Sequence, residues 1–165
     1  MYLRPVLSSP LRVMIIEGHP VVRQLLDAVF RHIGFEVNDA GPCVEPEDVS
    51  ECSLQCCTQD FAPDLMLIAV LGPRCSGVVM AREAFERWPA VKVILISTLP
   101  ISFWPSHAVR ALDTLPPQSC SLLPKPFVVT ELEAAARALM GSGPAPTTRR
   151  HEPRGGRTRL EMLPH

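Results

Sequence analysis

The chain has 165 residues, of which 47% are hydrophobic, so it can form one domain of ordinary size around a substantial core. Its net charge of −1 at pH 7 argues against a protein that is attracted to nucleic acid by an overall positive charge. No apolar run approaches the roughly 20 residues that span a bilayer, and Pro and Ser interrupt the N-terminal region where a secretory signal would be continuous. These properties predict a cytoplasmic protein without a membrane segment.

Hydrophobic periodicity predicts strands that alternate with helices. A β-branched apolar run at 12–16 is typical of a strand, and the helical spacing that follows predicts a helix that ends at Gly34. Further strands are expected at 35–40, 64–69, 91–97 and 119–123. Further helices are expected at 45–61, 77–88, 106–112 and 128–141. Five strands in this alternation predict an α/β fold with a doubly wound parallel sheet.

Composition divides the chain into three parts. Residues 1–10 are predicted to be an N-terminal extension, 11–140 the folded domain, and 141–165 a disordered tail rich in Pro, Gly and Arg. The tail has five arginines and two glutamates, and we interpret it as a solvated segment in preference to an arm that binds nucleic acid or a partner.

The cysteines are predicted to be reduced thiols, because no export signal accompanies them. Three of them, Cys52, Cys56 and Cys57, would share one helix face, but neither a nearby His nor a paired C-x-x-C motif supports a metal site. Small core-facing residues are the favoured interpretation. The six cysteines are Cys43, Cys52, Cys56, Cys57, Cys75 and Cys120.

Side chains that could take part in binding or catalysis follow the predicted strands at their carboxyl ends. In a doubly wound sheet, functional groups gather outside this edge. The strands end at Glu17-Gly18, at Ala69, at Ser97 and just before Lys125. One carboxylate, one hydroxyl and one ammonium group are therefore expected to surround a central position that carries only a methyl group.

The order of four segments resembles the receiver domain of two-component response regulators, over residues 11–140. The segments are RVMIIEGHPVVR, PDLMLIAVLGPRCSG, VKVILIST and LLPKPF. The PKPF turn, the PDL opening of the third strand and the loop with Gly72, Pro73 and Gly77 carry most of the resemblance. It implies a flavodoxin-like (βα)5 fold, in agreement with the alternation of strands and helices.

The resemblance also implies a site. In receiver domains, an acidic pair after the first strand binds Mg²⁺ together with an aspartate that accepts phosphate from a histidine kinase. These positions fall on Glu17, Gly18 and Ala69, and the phosphate-binding hydroxyl and lysine fall on Ser97 and Lys125. Alanine has no nucleophilic oxygen, and Glu17 alone would give at most weak Mg²⁺ binding. The position of Ala69 is therefore predicted to be a vacant phosphoacceptor position in a vestigial site, without catalytic residues, cofactor or metal.

Two other carboxylates are not expected to replace the missing ones. Asp64 lies at the opposite end of the third strand, about 16 Å away, and Asp39 ends the second strand. The aromatic residue that often reports the switch in receivers falls on Leu122. With two carboxylates absent, we expect Lys125 to pair with Glu17 and to hold the site in one arrangement.

The predicted function is a stand-alone pseudo-receiver (response regulatory domain) of a bacterial two-component phosphorelay. It would be a phosphorylation-independent protein–protein interaction module and not an enzyme, with a histidine kinase, a phosphotransfer protein or another receiver as partner. The interaction face would comprise the fourth strand and the fourth and fifth helices, with Trp104, beside Phe103, as a candidate exposed residue. Three alternatives stay open: a receiver that accepts phosphate on an unusual side chain, a flavodoxin-like enzyme, and a chain without a present role.

Overall fold

The computed structural model describes residues 9–39, 54, 61–70 and 76–141, with the backbone alone at Asp39 and Ser76. The predicted helix at 45–61 lies almost entirely outside these residues, and so do Cys52, Cys56 and Cys57. Of the predicted tail at 141–165 only Gly141 lies within them, and of the predicted extension at 1–10 only residues 9 and 10.

Five parallel strands form one sheet within the described ranges. In spatial order they are β2 (Glu36–Asp39), β1 (Arg12–Ile16), β3 (Leu65–Ala69), β4 (Lys92–Ser97) and β5 (Cys120–Pro124). Every residue of β3 is buried, as expected for a central strand that is covered on both faces. The predicted doubly wound parallel sheet is confirmed.

Four α-helices connect or follow the strands in the part of the chain that is described. They are α1 (Pro20–His32), α2 (Ser76–Arg87), α3 (Ser106–Asp113) and α4 (Val129–Met140). Pro20 occupies the first turn of α1, where its missing N–H costs no hydrogen bond, and Gly34 follows the helix with φ of 97°. A left-handed backbone of this kind favours glycine over any other residue. None of these helices is long and apolar enough to cross a membrane.

The helices bury their apolar stripes on opposite faces of the sheet. On one face, α1 and α4 contribute Leu26, Phe30, Leu132 and Ala136 to a core with side chains from β1, β3 and β4. On the other face, α2 and α3 pack against the remaining side chains of the same strands, and Trp104 joins this second core. Two covered faces leave the ends of the strands as the accessible parts of the central sheet.

The amino edge of the sheet is tied together by Asp64. Its carboxylate oxygen Oδ2 accepts the N–H of Arg12 at 2.7 Å, and its own N–H donates to the Arg12 carbonyl at 2.8 Å. Its carbonyl accepts the N–H of Lys92 at 2.9 Å, so one residue connects the starts of β1, β3 and β4. This position confirms that Asp64 lies far from the carboxyl edge, where the candidate site is formed.

Candidate functional site

The four predicted polar or vacant positions meet at the carboxyl edge of the sheet. Glu17 directly follows β1, Ala69 is the last residue of β3, Ser97 is the last residue of β4, and Lys125 directly follows β5. The register aligns the edge, because Ala69 pairs with Ile96 across the β3–β4 ladder. The parallel topology therefore brings these residues together, as the sequence predicted.

Glu17 and Lys125 form an ion pair across the site. The Lys125 Nζ lies 2.6 Å from Glu17 Oε2, and the two side chains are 19% and 2% exposed. The other carboxylate oxygen, Oε1, accepts the backbone N–H of His19 at 2.9 Å. Both oxygens of this buried carboxylate thus have a hydrogen-bond donor, which a buried charge requires. The predicted pairing of Lys125 with Glu17 is confirmed.

This pair joins two strands that are not neighbours. β3 and β4 lie between β1 and β5, so the strand ends that carry Glu17 and Lys125 are separated by three strand spacings, about 14 Å. The two long side chains must therefore extend toward each other over the ends of β3 and β4. The ion pair covers the edge where Ala69 and Ser97 lie.

Ala69 is held under the start of α2. Its side chain is 3% exposed, and its carbonyl oxygen would lie only 2.7 Å from a Cβ placed on Gly77. Only glycine allows this close approach between the first turn of α2 and the end of β3. The next residue, Val70, donates its N–H to the Ile96 carbonyl at 2.7 Å, which continues the ladder past the strand end.

The Ser97 hydroxyl forms hydrogen bonds within the loop that follows β4. It donates to the Leu99 carbonyl at 2.9 Å and accepts the Leu99 N–H at 3.1 Å, and the serine is 3% exposed. The Trp104 indole N–H also donates to the Leu99 carbonyl, at 3.0 Å. The hydroxyl is therefore satisfied by local partners, and none of its hydrogen-bond partners among the described residues is a base that could activate it as a nucleophile.

The backbone fixes Lys125 next to Ser97. The Lys125 N–H donates to the Ser97 carbonyl at 2.7 Å, and the peptide bond between Lys125 and Pro126 is cis. The hydrogen bond continues the β4–β5 pairing beyond Pro124.

Trp104 packs at this edge in a way that the sequence did not predict. The residue is 6% exposed, so it is not the exposed residue considered from the sequence, whereas neighbouring Phe103 is 73% exposed. Burial of the indole agrees with its N–H having a hydrogen-bond partner. Leu122, at the position of the switch aromatic, is half-buried and packs against the same core.

A divalent cation does not fit the described residues of this site. Mg²⁺ usually takes one or two carboxylates in near-octahedral oxygen coordination. Here Gly18 and Ala69 offer no side-chain oxygen, and both oxygens of Glu17 are already bound by N–H donors. Within the described ranges, no three His, Cys, Asp or Glu side chains gather as a metal site. Asp39, which ends β2, is described by its backbone alone, so this statement does not include its side chain.

Comparison with known proteins identifies the architecture. No family model and no curated protein matches this chain. Among solved structures, a CheY-like receiver domain protein from Methanospirillum hungatei JF-1 matches with a TM-score of 0.60 and 16% identity, over 80% of this chain and 94% of that chain. Chemotaxis protein CheY4 from Vibrio cholerae matches with a TM-score of 0.58 and 14% identity, over 79% and 99%. The fold is that of a response-regulator receiver domain.

A response regulator receiver protein from Sinorhizobium medicae WSM419 gives the same result, with a TM-score of 0.58 and 19% identity over 79% of this chain and 94% of that chain. At such identities the likeness concerns the receiver fold. The predicted flavodoxin-like architecture is confirmed.

The receiver fold also exposes apolar side chains beside the site. They lie in the segment that follows β4 and in the segment that follows β5, up to the first residue of α4. These strands are neighbours, so the two segments begin at adjacent points of the carboxyl edge. We call this set the apolar rim: Leu99, Ile101, Phe103, Val128 and Val129. Exposed apolar side chains are typical of a surface that binds another protein where they form one patch.

Proposed function

We propose that this chain is a pseudo-receiver of bacterial two-component signalling that works as a protein–protein interaction module without phosphorylation on aspartate. One observation carries the proposal. The strand that would present the phosphoacceptor ends in the methyl group of Ala69, while Lys125 is engaged by the buried Glu17 carboxylate. The fold provides the framework of a receiver, and the residues at its edge provide a neutralised ion pair in place of a reactive carboxylate.

Chemistry at this edge supports a silent site. Phosphoryl transfer needs a nucleophilic oxygen that a base or a low pKa activates, and a methyl group offers none. The hydroxyl of Ser97 donates a hydrogen bond to the Leu99 carbonyl, which cannot act as a general base. The Glu17 carboxylate is bound at both oxygens. None of these three groups is therefore poised to accept phosphate.

The ion pair also supports a fixed conformation. Lys125 has its counter-charge already, so the site needs neither a cation nor a phosphoryl group to balance its charges. Ser97 is bound on both its donor and acceptor sides by one loop residue. We therefore propose that the domain always presents the same interaction surface. A receiver that is phosphorylated would instead alternate between two conformations of that surface.

The proposed partner is a histidine kinase, a phosphotransfer protein or another receiver in the bacterial cytoplasm. The sequence predicted a face of the fourth strand with the fourth and fifth helices. Because β4 is an interior strand and almost fully buried, the proposed interaction face comprises the edge strand β5 in its place, with α3 and α4, which are the predicted fourth and fifth helices, and the apolar rim. Phe103, with 73% exposure, is its most accessible apolar side chain. A partner that covers this phenyl ring would remove apolar area from water, which is the main favourable contribution to association.

An acyl-phosphate labelling experiment tests the absence of phosphorylation. The purified chain is incubated with acetyl phosphate and Mg²⁺ and then weighed intact. We expect no added phosphoryl group in the wild type. A stable adduct that alkaline treatment removes would instead favour a receiver that uses an unusual side chain.

The double variant Gly18→Asp with Ala69→Asp is the positive counterpart. It restores two carboxylates beside Glu17, and we expect it to gain Mg²⁺ binding, measured by calorimetry. If the variant folds but binds no Mg²⁺, the site differs from that of a receiver at more than two positions, and the interpretation of the edge as a vestigial site is wrong.

Binding to kinases and phosphotransfer proteins from the same genome tests the interaction surface. Phe103→Asp should weaken capture of the partner by about tenfold or more, because it places a charge where apolar contact is proposed. Val21→Asp is the matched control, since Val21 is similarly exposed, at 66%, but lies on α1. Equal loss in both variants would contradict the assignment of the surface.

A further inference from the structure

The outer edge of β5 carries backbone groups that no described strand pairs. The Ser119 carbonyl accepts a hydrogen bond from β4 at 2.8 Å, and the Lys125 N–H donates one to β4 at 2.7 Å. Successive residues of a strand direct their backbone groups to opposite sides, so those of Cys120 and Leu122 point away from β4. Pro124 has no N–H, and the row of outward donors therefore ends before it.

A groove of about 340 Å³ lies beside the first half of this edge, at the end of the sheet opposite the candidate site. Its lining is mostly apolar, with the Asp113 carboxylate at the end of α3 as its charged member. The other lining residues are Leu112, Leu115, Pro117, Cys120, Ser121 and Leu122. An added strand would present every second side chain on the groove side, because side chains alternate along a strand. The edge and the groove together thus suit an extended segment with apolar residues two positions apart.

The chain that follows α4 contains such a segment. Residues 157–163 read RTRLEML, and Leu160 and Met162 are two positions apart, so they would share one face of an extended strand. Charge favours the same contact. The tail from 142 onward holds 5 of the 16 Lys and Arg and 2 of the 17 Asp and Glu, which leaves 11 basic and 15 acidic residues before it. A basic tail therefore follows an acidic domain.

The chain between α4 and the segment 157–163 is long enough to let this segment reach the outer edge of β5. α4 starts just after the carboxyl end of β5 and runs back along the sheet, so Gly141 emerges at the amino end of β5, where the groove lies. The 18 residues between Gly141 and Leu160 can span up to about 60 Å. A compact domain of this size is only about 35 Å across, so the segment can reach the edge.

We infer that residues 157–163 add to the outer edge of β5 as a short strand, with Leu160 and Met162 facing the groove. Few backbone hydrogen bonds are available there, so the contact is weak between separate molecules. The tether raises the local concentration of the segment to the millimolar range, which populates the contact within one chain. Docking does not depend on the proposed function. Competition between the docked tail and a partner on the α3–β5–α4 face does depend on it.

Hydrogen exchange in the full-length chain, resolved to single amides by NMR, tests the docking. The variant Leu160→Asp with Met162→Asp removes the apolar pair without touching the domain. Thr147→Asp with Thr148→Asp is the matched control, since it adds the same charge to the tail outside the segment. For a segment that is docked about nine-tenths of the time, the Cys120 and Leu122 amides should exchange about tenfold faster in the first variant than in the wild type or the control.

Two results would overturn the inference. Equal exchange rates in the three proteins would mean that the segment does not cover the edge. Protection that rises with protein concentration would mean that a second copy of the chain occupies the edge instead. Acetyl phosphate labelling does not report on this edge, so failure of the proposed function and failure of the docking are distinguishable.

Discussion

Replacing Lys125 with methionine tests how much the ion pair at the carboxyl edge stabilises the domain. In Lys125→Met, the 2% exposed Glu17 carboxylate keeps the His19 N–H at 2.9 Å as its one donor among the described residues. Removing one partner of a buried ion pair costs about 3–5 kcal/mol. Lys125 retains 19% exposure and one donor to Glu17 remains, so we expect the lower limit, about 3 kcal/mol.

Urea-induced unfolding, followed by circular dichroism, measures this loss as a lower midpoint with an unchanged slope. The melting temperature should fall by about 10 °C for a domain of this length. The double variant Glu17→Gln with Lys125→Met removes the orphaned charge as well. We expect it to recover about 2 kcal/mol relative to Lys125→Met, because the penalty comes from the unpaired carboxylate.

Arg82→Met is the matched control. It breaks the exposed pair between Arg82 and Glu86, whose atoms are 3.9 Å apart, and methionine suits a helix as well as arginine does. An exposed pair of this kind contributes about 0.5 kcal/mol or less. The reasoning is refuted if Lys125→Met is as stable as Arg82→Met, or if the double variant is no more stable than Lys125→Met alone.

Three further predictions concern other parts of the domain. Gly77→Ala would place a Cβ 2.7 Å from the Ala69 carbonyl oxygen, a backbone atom, so urea unfolding should show a loss of about 1–3 kcal/mol, and an unchanged midpoint would contradict the close packing. Trp104→Phe removes one of the two donors to the Leu99 carbonyl, which keeps the Ser97 hydroxyl, so thermal unfolding should show a loss of about 1 kcal/mol; a gain in stability would argue against this bond. Burial raises the pKa of the Cys120 thiol from 9.0 to about 11 and lowers its thiolate fraction. Alkylation of Cys120 at about pH 9, mapped by peptide mass spectrometry, should therefore be slower in the folded chain than in urea, whereas equal rates would exclude the shift.

Much of the fold could be predicted because its signals are local. The apolar run of β3 and the helical spacing of α1 each specify an element without reference to the rest of the chain. The meeting of Glu17 with Lys125 could also be predicted, since parallel topology brings the carboxyl ends of strands to one edge.

The loop after β4 could not be predicted in the same way. Several prolines remove periodicity there, and the burial of Trp104 depends on a core formed by distant elements. Its hydrogen bond to the Leu99 carbonyl follows from that burial and has no signature in the neighbouring residues. The contacts of Asp64 with Arg12 and Lys92 were equally hidden, since they join starts of three strands far apart in the chain.

The contact between Glu17 and Lys125 joins residues 108 positions apart, and this separation has a consequence for synthesis. A chain that leaves the ribosome from its N-terminus produces the acid of the first βα unit long before the lysine of the last. Until the fifth strand arrives, that carboxylate lacks the ammonium group with which it pairs in the folded domain. The final hydrogen bonding of the first strand's carboxyl end is therefore complete only when nearly the whole domain has been made.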